Sequence, residues 1–236
     1  MDVVRAVRRH VFCYVRTDPE APKHKGISVL LIDMASPGIE VRPLRHITGA
    51  VEFAEVFFDD VVVPQGQPGR GAQQRLAHHD GLAGARRGGL WVEGVFGAHR
   101  ALDGLIALAR RRGLDADPVV RRRLGEAYEQ VSSLRSLGYK GFAGFAQGSS
   151  APEHSFMKLA TSELRKQLFE LGMDLCGPAG AVVDPARAEE DGRWWKGFFV
   201  ALAGTIGGGT SEIQRNVVAT RVLGLPGVRE QPWTSR

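Results

Sequence analysis

"TIGGGTSEIQRNVVATRVLGLP", Thr205 to Pro226, sets three glycines directly before a Thr-Ser pair and a helix-like run that stops at Gly224-Leu225-Pro226. Thr210 has the hydroxyl that suits a helix N-cap, and the glycine-proline stop marks the other end. Gly207, Gly208 and Gly209 let the backbone approach a flat ring or a phosphate without side-chain clash. The first free amides of the helix then point outward with the positive end of its dipole. On spacing alone, a flexible loop followed by an N-cap is the simpler account of the run. The residues upstream decide what kind of molecule carries it.

Four more helices should precede it. From Gly88 onward Trp91, Val95, Ala98, Leu102, Leu105 and Leu108 recur at three- and four-residue steps, the mark of one apolar helix face. Asp117 before Pro118 is an N-cap followed by a proline at the first helical position, so a second helix should run from there until "QGSSAPE". A third should cover about Glu153 to Leu175 and stop at "GPAG", and a fourth should include "RWWKGFFVAL". One of Trp194 and Trp195 should be core and the other boundary.

The first 64 residues have strand character instead. "ISVLLIDM" at Ile27 to Met34, "IEVRPL" after the Ser36-Pro37-Gly38 turn, and "VEFAEVFFDDVVVP" follow one another, with Asp59-Asp60 expected to break the last into two short strands. The fold class is therefore α+β, a partial antiparallel β-domain over 1–66 followed by a four- to five-helix bundle over 88–226. Residues 67–87 read as a linker or a disturbed segment, and 227–236 as a tail.

Composition excludes several classes. The chain has 236 residues with 43% hydrophobic and 24% charged, ordinary for a globular protein, and a net charge of +5 from intermixed charges. It has no basic tail and no basic-aromatic interleaving, so nucleic acid is not an expected partner. "GFFVALAGTIGGG" is too short and glycine-rich to span a bilayer, and Cys13 and Cys176 have no metal-ligand spacing, so a cytoplasmic protein is expected, with both cysteines in the core. His78-His79-Asp80 reads as a solvated loop rather than a metal or base cluster, and no metal site is expected.

Long stretches identify a family. "RTDPEAPKHKGISVLLIDMASPGIEVRPLRHITGAVEFAEVFFDDVVVP" resembles the second part of the middle β-domain of the acyl-CoA dehydrogenases. "TIGGGTSEIQRNVVATRVLGLP" resembles their last long helix, and "RRRGLDADPVVRRRL" and "LGMDLCGPAG" also fit. The resemblance implies a flavoenzyme that oxidises an acyl-CoA to its 2,3-enoyl form. A carboxylate takes the α-proton while a hydride leaves the β-carbon for FAD. It implies an oligomer whose FAD also touches a neighbouring subunit. By position, Gly209, Thr210 and Ser211 fall on the flavin-contacting turn. Arg112 falls on an arginine that reaches the diphosphate of the neighbouring subunit's cofactor, or is a solvated helix end, and Gly177 lies on a glycine turn facing that cofactor.

Departures from the pattern bear on activity. The family's glutamate immediately before the Gly-Thr of the last turn is here Gly208, and the alternative site on the first bundle helix, just before an arginine, is here Arg86. No base is expected at either position, while Arg87 matches an arginine that touches CoA. Glu93 and Glu126 are the acids to consider as replacements, with solvated helix faces as the simpler account of both. Members also have a helical domain of about a hundred residues ahead of the β-domain, a usual domain size. The expectation is an incomplete or singly inactive dehydrogenase, or a non-catalytic subunit that completes a flavin site in a hetero-oligomer with an acyl-CoA dehydrogenase subunit.

Overall fold

A computed structural model describes residues 9–64, 74–75, 93–147, 153–184 and 186–227, and the chain divides into two compact units between Ala85 and Arg86. The first unit is built from antiparallel pairs. β1 (His10–Arg16) pairs with β2 (Ile27–Asp33) from His10 opposite Asp33 to Arg16 opposite Ile27. β3 (Ile39–Leu44) pairs with β4 (Phe53–Phe58) from Ile39 opposite Phe58 to Leu44 opposite Phe53. The two-residue β5 (Gln74–Arg75) adds to the free edge of β2.

β1 had no counterpart among the expected strands. "HVFCYVR" does alternate, but its basic ends and the arginine-rich stretch before it hide a strand that is fixed by pairing along its whole length with β2. Cys13 on it is half-buried rather than core. The strand expected after Asp59-Asp60 is absent: Asp60 takes a left-handed φ of 47°, the Asp59 N–H donates to Gly38 O at 2.9 Å, and Val61 to Pro64 join no ladder among the described residues. Ile32 and Ser28 are buried in this unit, and the Ser28 hydroxyl is satisfied by Thr17 Oγ1 at 2.7 Å.

The second unit is helical: α1 (Val95–Arg111), α2 (Pro118–Ala146), α3 (Glu153–Cys176), α4 (Arg193–Ile206) and α5 (Ser211–Val217), the last continuing as a π turn over Val218–Val222. Caps set these boundaries. Asp117 Oδ1 accepts from the N–H groups of Val119 and Val120 at 2.7 and 3.2 Å, fixing the start of α2 at Pro118 as its sequence demands. Gly113 with φ 65° ends α1, and the Leu114 N–H bonds back to Ala109 O at 2.8 Å.

α3 is the central element and packs on each of the other four helices. Leu102, Leu105 and Leu108 of α1, Val131 and Leu134 of α2, and Leu164, Leu168 and Leu171 of α3 form one buried core with Trp194. An added Cβ at Gly172 would overlap the Trp194 indole, so this glycine is what lets α4 approach α3 so closely. Both tryptophans are buried, at 1% and 5% exposure, so neither is the expected boundary residue. Trp195 reaches that depth because its indole lies directly against Gly192, where any side chain would collide.

A 3-10 turn over Glu189–Gly192 leads into α4 with Glu190, Asp191 and Gly192 all left-handed, at φ 48°, 55° and 74°. A non-glycine residue held there costs of order 1 kcal/mol. Asp191→Gly is therefore expected to stabilise the protein by about 1 kcal/mol, a rise of about 2–4 °C in melting temperature for a unit of this size. An unchanged or lower melting temperature would show that the turn is not strained at Asp191.

Candidate functional site

The glycine run lies between the end of α4 and the head of α5. Gly208 and Gly209 are left-handed, with φ 72° and 101°, which reverses the chain within two residues. Among the described residues a Cβ on Gly208 would meet nothing within 4 Å, so this backbone lies open to them, whereas one on Gly209 would come 2.7 Å from Gln214 Nε2. Thr210 caps α5 as expected, its hydroxyl accepting from the Ile213 N–H at 3.3 Å, and Gln214 Nε2 donates back to Gly208 O at 2.9 Å.

Two side chains of α3 hold this turn, and no sequence motif announced either. Lys158 Nζ donates to Thr205 O at 3.3 Å and Gly209 O at 2.7 Å, tying the end of α4 to the start of α5. Burial lowers its pKa, against the raising charge of Glu163. Ser211, 4% exposed, donates to Glu163 Oε1 at 2.6 Å, and Arg215 lies 3.9 Å from the same oxygen. Five residues apart on a helix of period 3.6, Lys158 and Glu163 lie roughly 140° apart around α3, so no shared helix face marked them in the sequence. Removing a charged hydrogen-bond donor costs about 1.5–3 kcal/mol, less where water reaches it. Lys158→Met is therefore expected to lower the melting temperature by several degrees, and an unchanged value would mean that the lysine does not brace the turn.

Neither acid near the turn is poised as a base. Glu163 is held below the usual carboxylate range, first by the Ser211 hydroxyl and then by Lys166 and Arg215. Glu212 is also lowered, through its own backbone N–H and the Thr210 hydroxyl, so its charge serves the head of α5. A carboxyl whose folded pKa is depressed stabilises the fold above its unfolded value of about 4.3 and loses that contribution as pH falls through the folded value. The stability advantage of the unchanged chain over Ser211→Ala should thus be full at neutral pH and shrink below about pH 4.3. Thermal melts from pH 7 to 3 measure it, and an advantage constant with pH would contradict the Ser211–Glu163 bond.

The other sequence candidates lie elsewhere. Arg112 is the C-cap of α1, with Nη1 3.2 Å from Glu189 Oε2, and is not a free solvated end. Gly177 follows α3 with φ 57° and opens the 3-10 turn Gly177–Ala181, which packs on the Glu189–Gly192 turn. Cys176, between them in the core, has its thiol pKa raised by burial and by Glu189, with Arg112 opposing. Arg112 and Gly177 thus share one end of the bundle. Gly209, Thr210 and Ser211 gather beside Glu163, thirteen residues or about 20 Å along α3 from Cys176.

Glu126 is ion-paired with Arg122 on an exposed face. Glu93 is exposed, and Gly94 beside it abuts Thr161 of α3, between Lys158 and Glu163 in sequence, so the start of α1 reaches the same part of α3 as the glycine turn. Arg86, Arg87, Trp91 and His78-His79-Asp80 lie outside the described residues. No group of three or more possible metal ligands occurs among the described residues, and no helix among them is long and apolar enough to cross a membrane.

Residues 81–223 match the family model "Acyl-CoA dehydrogenase, C-terminal domain". The chain belongs to the acyl-CoA dehydrogenase family. Acyl-CoA dehydrogenase IpdE1 of Mycobacterium tuberculosis is 35% identical over 221 residues, covering 91% of this chain and 55% of that protein. Acyl-CoA dehydrogenase FadE34 of the same organism is 36% identical over 218 residues, covering 91% of this chain and 29% of that protein. Among solved structures, the Tcur3481-Tcur3483 steroid ACAD superimposes with a TM-score of 0.82 at 25% identity, over 94% of this chain and 58% of that one. The chain spans about half the length of the acyl-CoA dehydrogenase IpdE1, and its α+β architecture is that of the C-terminal part of the family fold.

Proposed function

We propose that this chain serves α,β-dehydrogenation of an acyl-CoA thioester as the C-terminal part of a flavin-dependent dehydrogenase assembly, supplying cofactor-holding backbone but not the proton-abstracting carboxylate. One observation carries this reading: Gly208, where many members of the family hold the base, is left-handed with open space around it among the described residues, and Glu163 and Glu212 beside the turn are engaged in its own hydrogen bonds. Residues 1–66 would be part of the middle β-domain and 88–226 the C-terminal bundle, joined through 67–87. The resemblance of the steroid ACAD favours a bulky thioester over a short straight chain.

The residues present fit FAD. Side-chain-free backbone at Gly208 suits a flat ring, Thr210 stands beside it at the head of α5 while the Ser211 hydroxyl is turned to Glu163 and would act through the backbone, and Arg112 keeps guanidinium donors beyond the one that meets Glu189. FAD would supply the acceptor for the hydride that leaves the substrate's β-carbon. Lys158 and Glu163 would keep the turn rigid, and Gly209 would allow the tight reversal that directs backbone rather than side chain toward the ring. The separation along α3 between the turn and the Arg112–Gly177 end supports two cofactors, one met by each end, in an oligomer where neighbours share sites. Arg87 would hold part of the CoA.

The test is the visible spectrum of the purified chain, alone and with an acyl-CoA dehydrogenase subunit, before and after acyl-CoA is added without oxygen. Flavin that binds the mixed assembly and bleaches only there supports the reading. Bleaching by this chain alone overturns it and makes Glu93→Gln the next variant, because Glu93 lies two residues ahead of α1, whose start meets α3 beside the turn.

A further inference from the structure

Arg111 and Arg112 end α1 facing a turn that carries two acids. Arg112 Nη1 meets Glu189 Oε2 at 3.2 Å, Arg111 Nη2 pairs with Glu190 Oε1, and Glu190 Oε2 also lies 3.4 Å from Arg193 Nη1. Arg193 is fixed in turn by donating to Arg100 O at 3.1 Å. The contact is not incidental to a relaxed loop, because Glu190 and Asp191 sit in left-handed backbone to make it. Arg112 and Glu189 are 33% and 28% exposed, so the pair remains within reach of a ligand.

Two adjacent guanidinium groups match the oxygens of a diphosphate, and each planar fork prefers two parallel bonds to an anion. Here two carboxylates cancel both charges. Glu189 Oε2 also takes the line along which a phosphate oxygen would accept from Arg112 Nη1. A neighbouring carboxylate that stays in place repels each unit of negative charge on an incoming anion by about 1 kcal/mol at 4 Å in water, and by more where water is excluded.

Resting on the assignment of Arg112 to a cofactor diphosphate, we propose that Glu189 is a built-in competitor for that anion, so that the arginine pair is a latent diphosphate site which opens only when the Glu189 side chain withdraws. Affinity for a nucleoside diphosphate is then set by Glu189 as much as by the arginines. A carboxylate that only oriented Arg112 would act with the opposite sign, helping the anion rather than excluding it.

Isothermal titration of the purified full chain with ADP tests this, with FAD and inorganic pyrophosphate titrated beside it. Glu189→Gln is nearly isosteric and keeps an acceptor for Arg112. It is expected to tighten ADP and pyrophosphate binding by about tenfold, the value of removing about 1.4 kcal/mol of repulsion. Glu189→Ala should move affinity in the same direction without any amide, and melting curves check that each variant is folded. Adding Arg112→Ala to Glu189→Gln should abolish the gain. Unchanged or weaker ADP binding in both folded Glu189 variants overturns the proposal, as does a gain that survives Arg112→Ala. A gain for ADP and pyrophosphate with none for FAD would keep the competitor and overturn the flavin assignment instead.

Discussion

Replacing Gly208 with glutamate is expected to raise acyl-CoA-dependent flavin bleaching about a hundredfold to ten-thousandfold in a flavin-loaded assembly, the usual contribution of a positioned general base. The space exists among the described residues, where a Cβ at this position meets nothing within 4 Å. The backbone resists: φ is 72°, and a side chain in left-handed conformation costs about 1–2 kcal/mol. The variant should therefore melt a few degrees lower while reacting faster. Gly208→Gln has the same strain without the carboxylate, so it should melt alike and gain nothing. Equal rates for the two variants would show that Gly208 does not face the substrate.

The largest stability effect is expected at Trp194. Its indole is 1% exposed, tilted against Phe169 with ring centroids 5.8 Å apart, and it fills the space that Gly172 leaves on α3. Trp194→Ala removes that contact and opens a cavity between α3 and α4, costing about 3–5 kcal/mol. At about 2–4 °C per kcal/mol this is a fall of roughly 6–20 °C in melting temperature. Gly172→Ala attacks the same contact by overpacking and should cost about 1–3 kcal/mol. Thermal melts followed by far-ultraviolet circular dichroism measure both, and a loss under about 1 kcal/mol for Trp194→Ala would mean that the α3–α4 seam collapses to fill the space.

The helices were legible because their signals are local. Asp117-Pro118 starts α2 and Gly224 ends the last helix through side-chain and backbone bonds within a few residues. β1 was not legible, since a short strand with basic ends is stabilised by pairing with β2, a non-local partner. Both tryptophans are buried for a similar reason: the glycines that admit them, Gly172 and Gly192, lie on other elements or in a turn whose conformation periodicity does not report. At the site, the glycine run and Thr210 could be read from the chain. Lys158, Glu163 and Glu189 could not, because each acts on a segment 47 to 77 residues away in sequence.

On the function proposed above, the turn at Gly208 faces flavin and holds no base of its own. The most direct test is an anaerobic titration of the unmodified chain, loaded with FAD and free of other protein, with an acyl-CoA while flavin absorbance is followed. The account predicts that the flavin bands persist through a molar excess of substrate, because no carboxylate of this chain takes the α-proton. Bleaching in proportion to added acyl-CoA would contradict it.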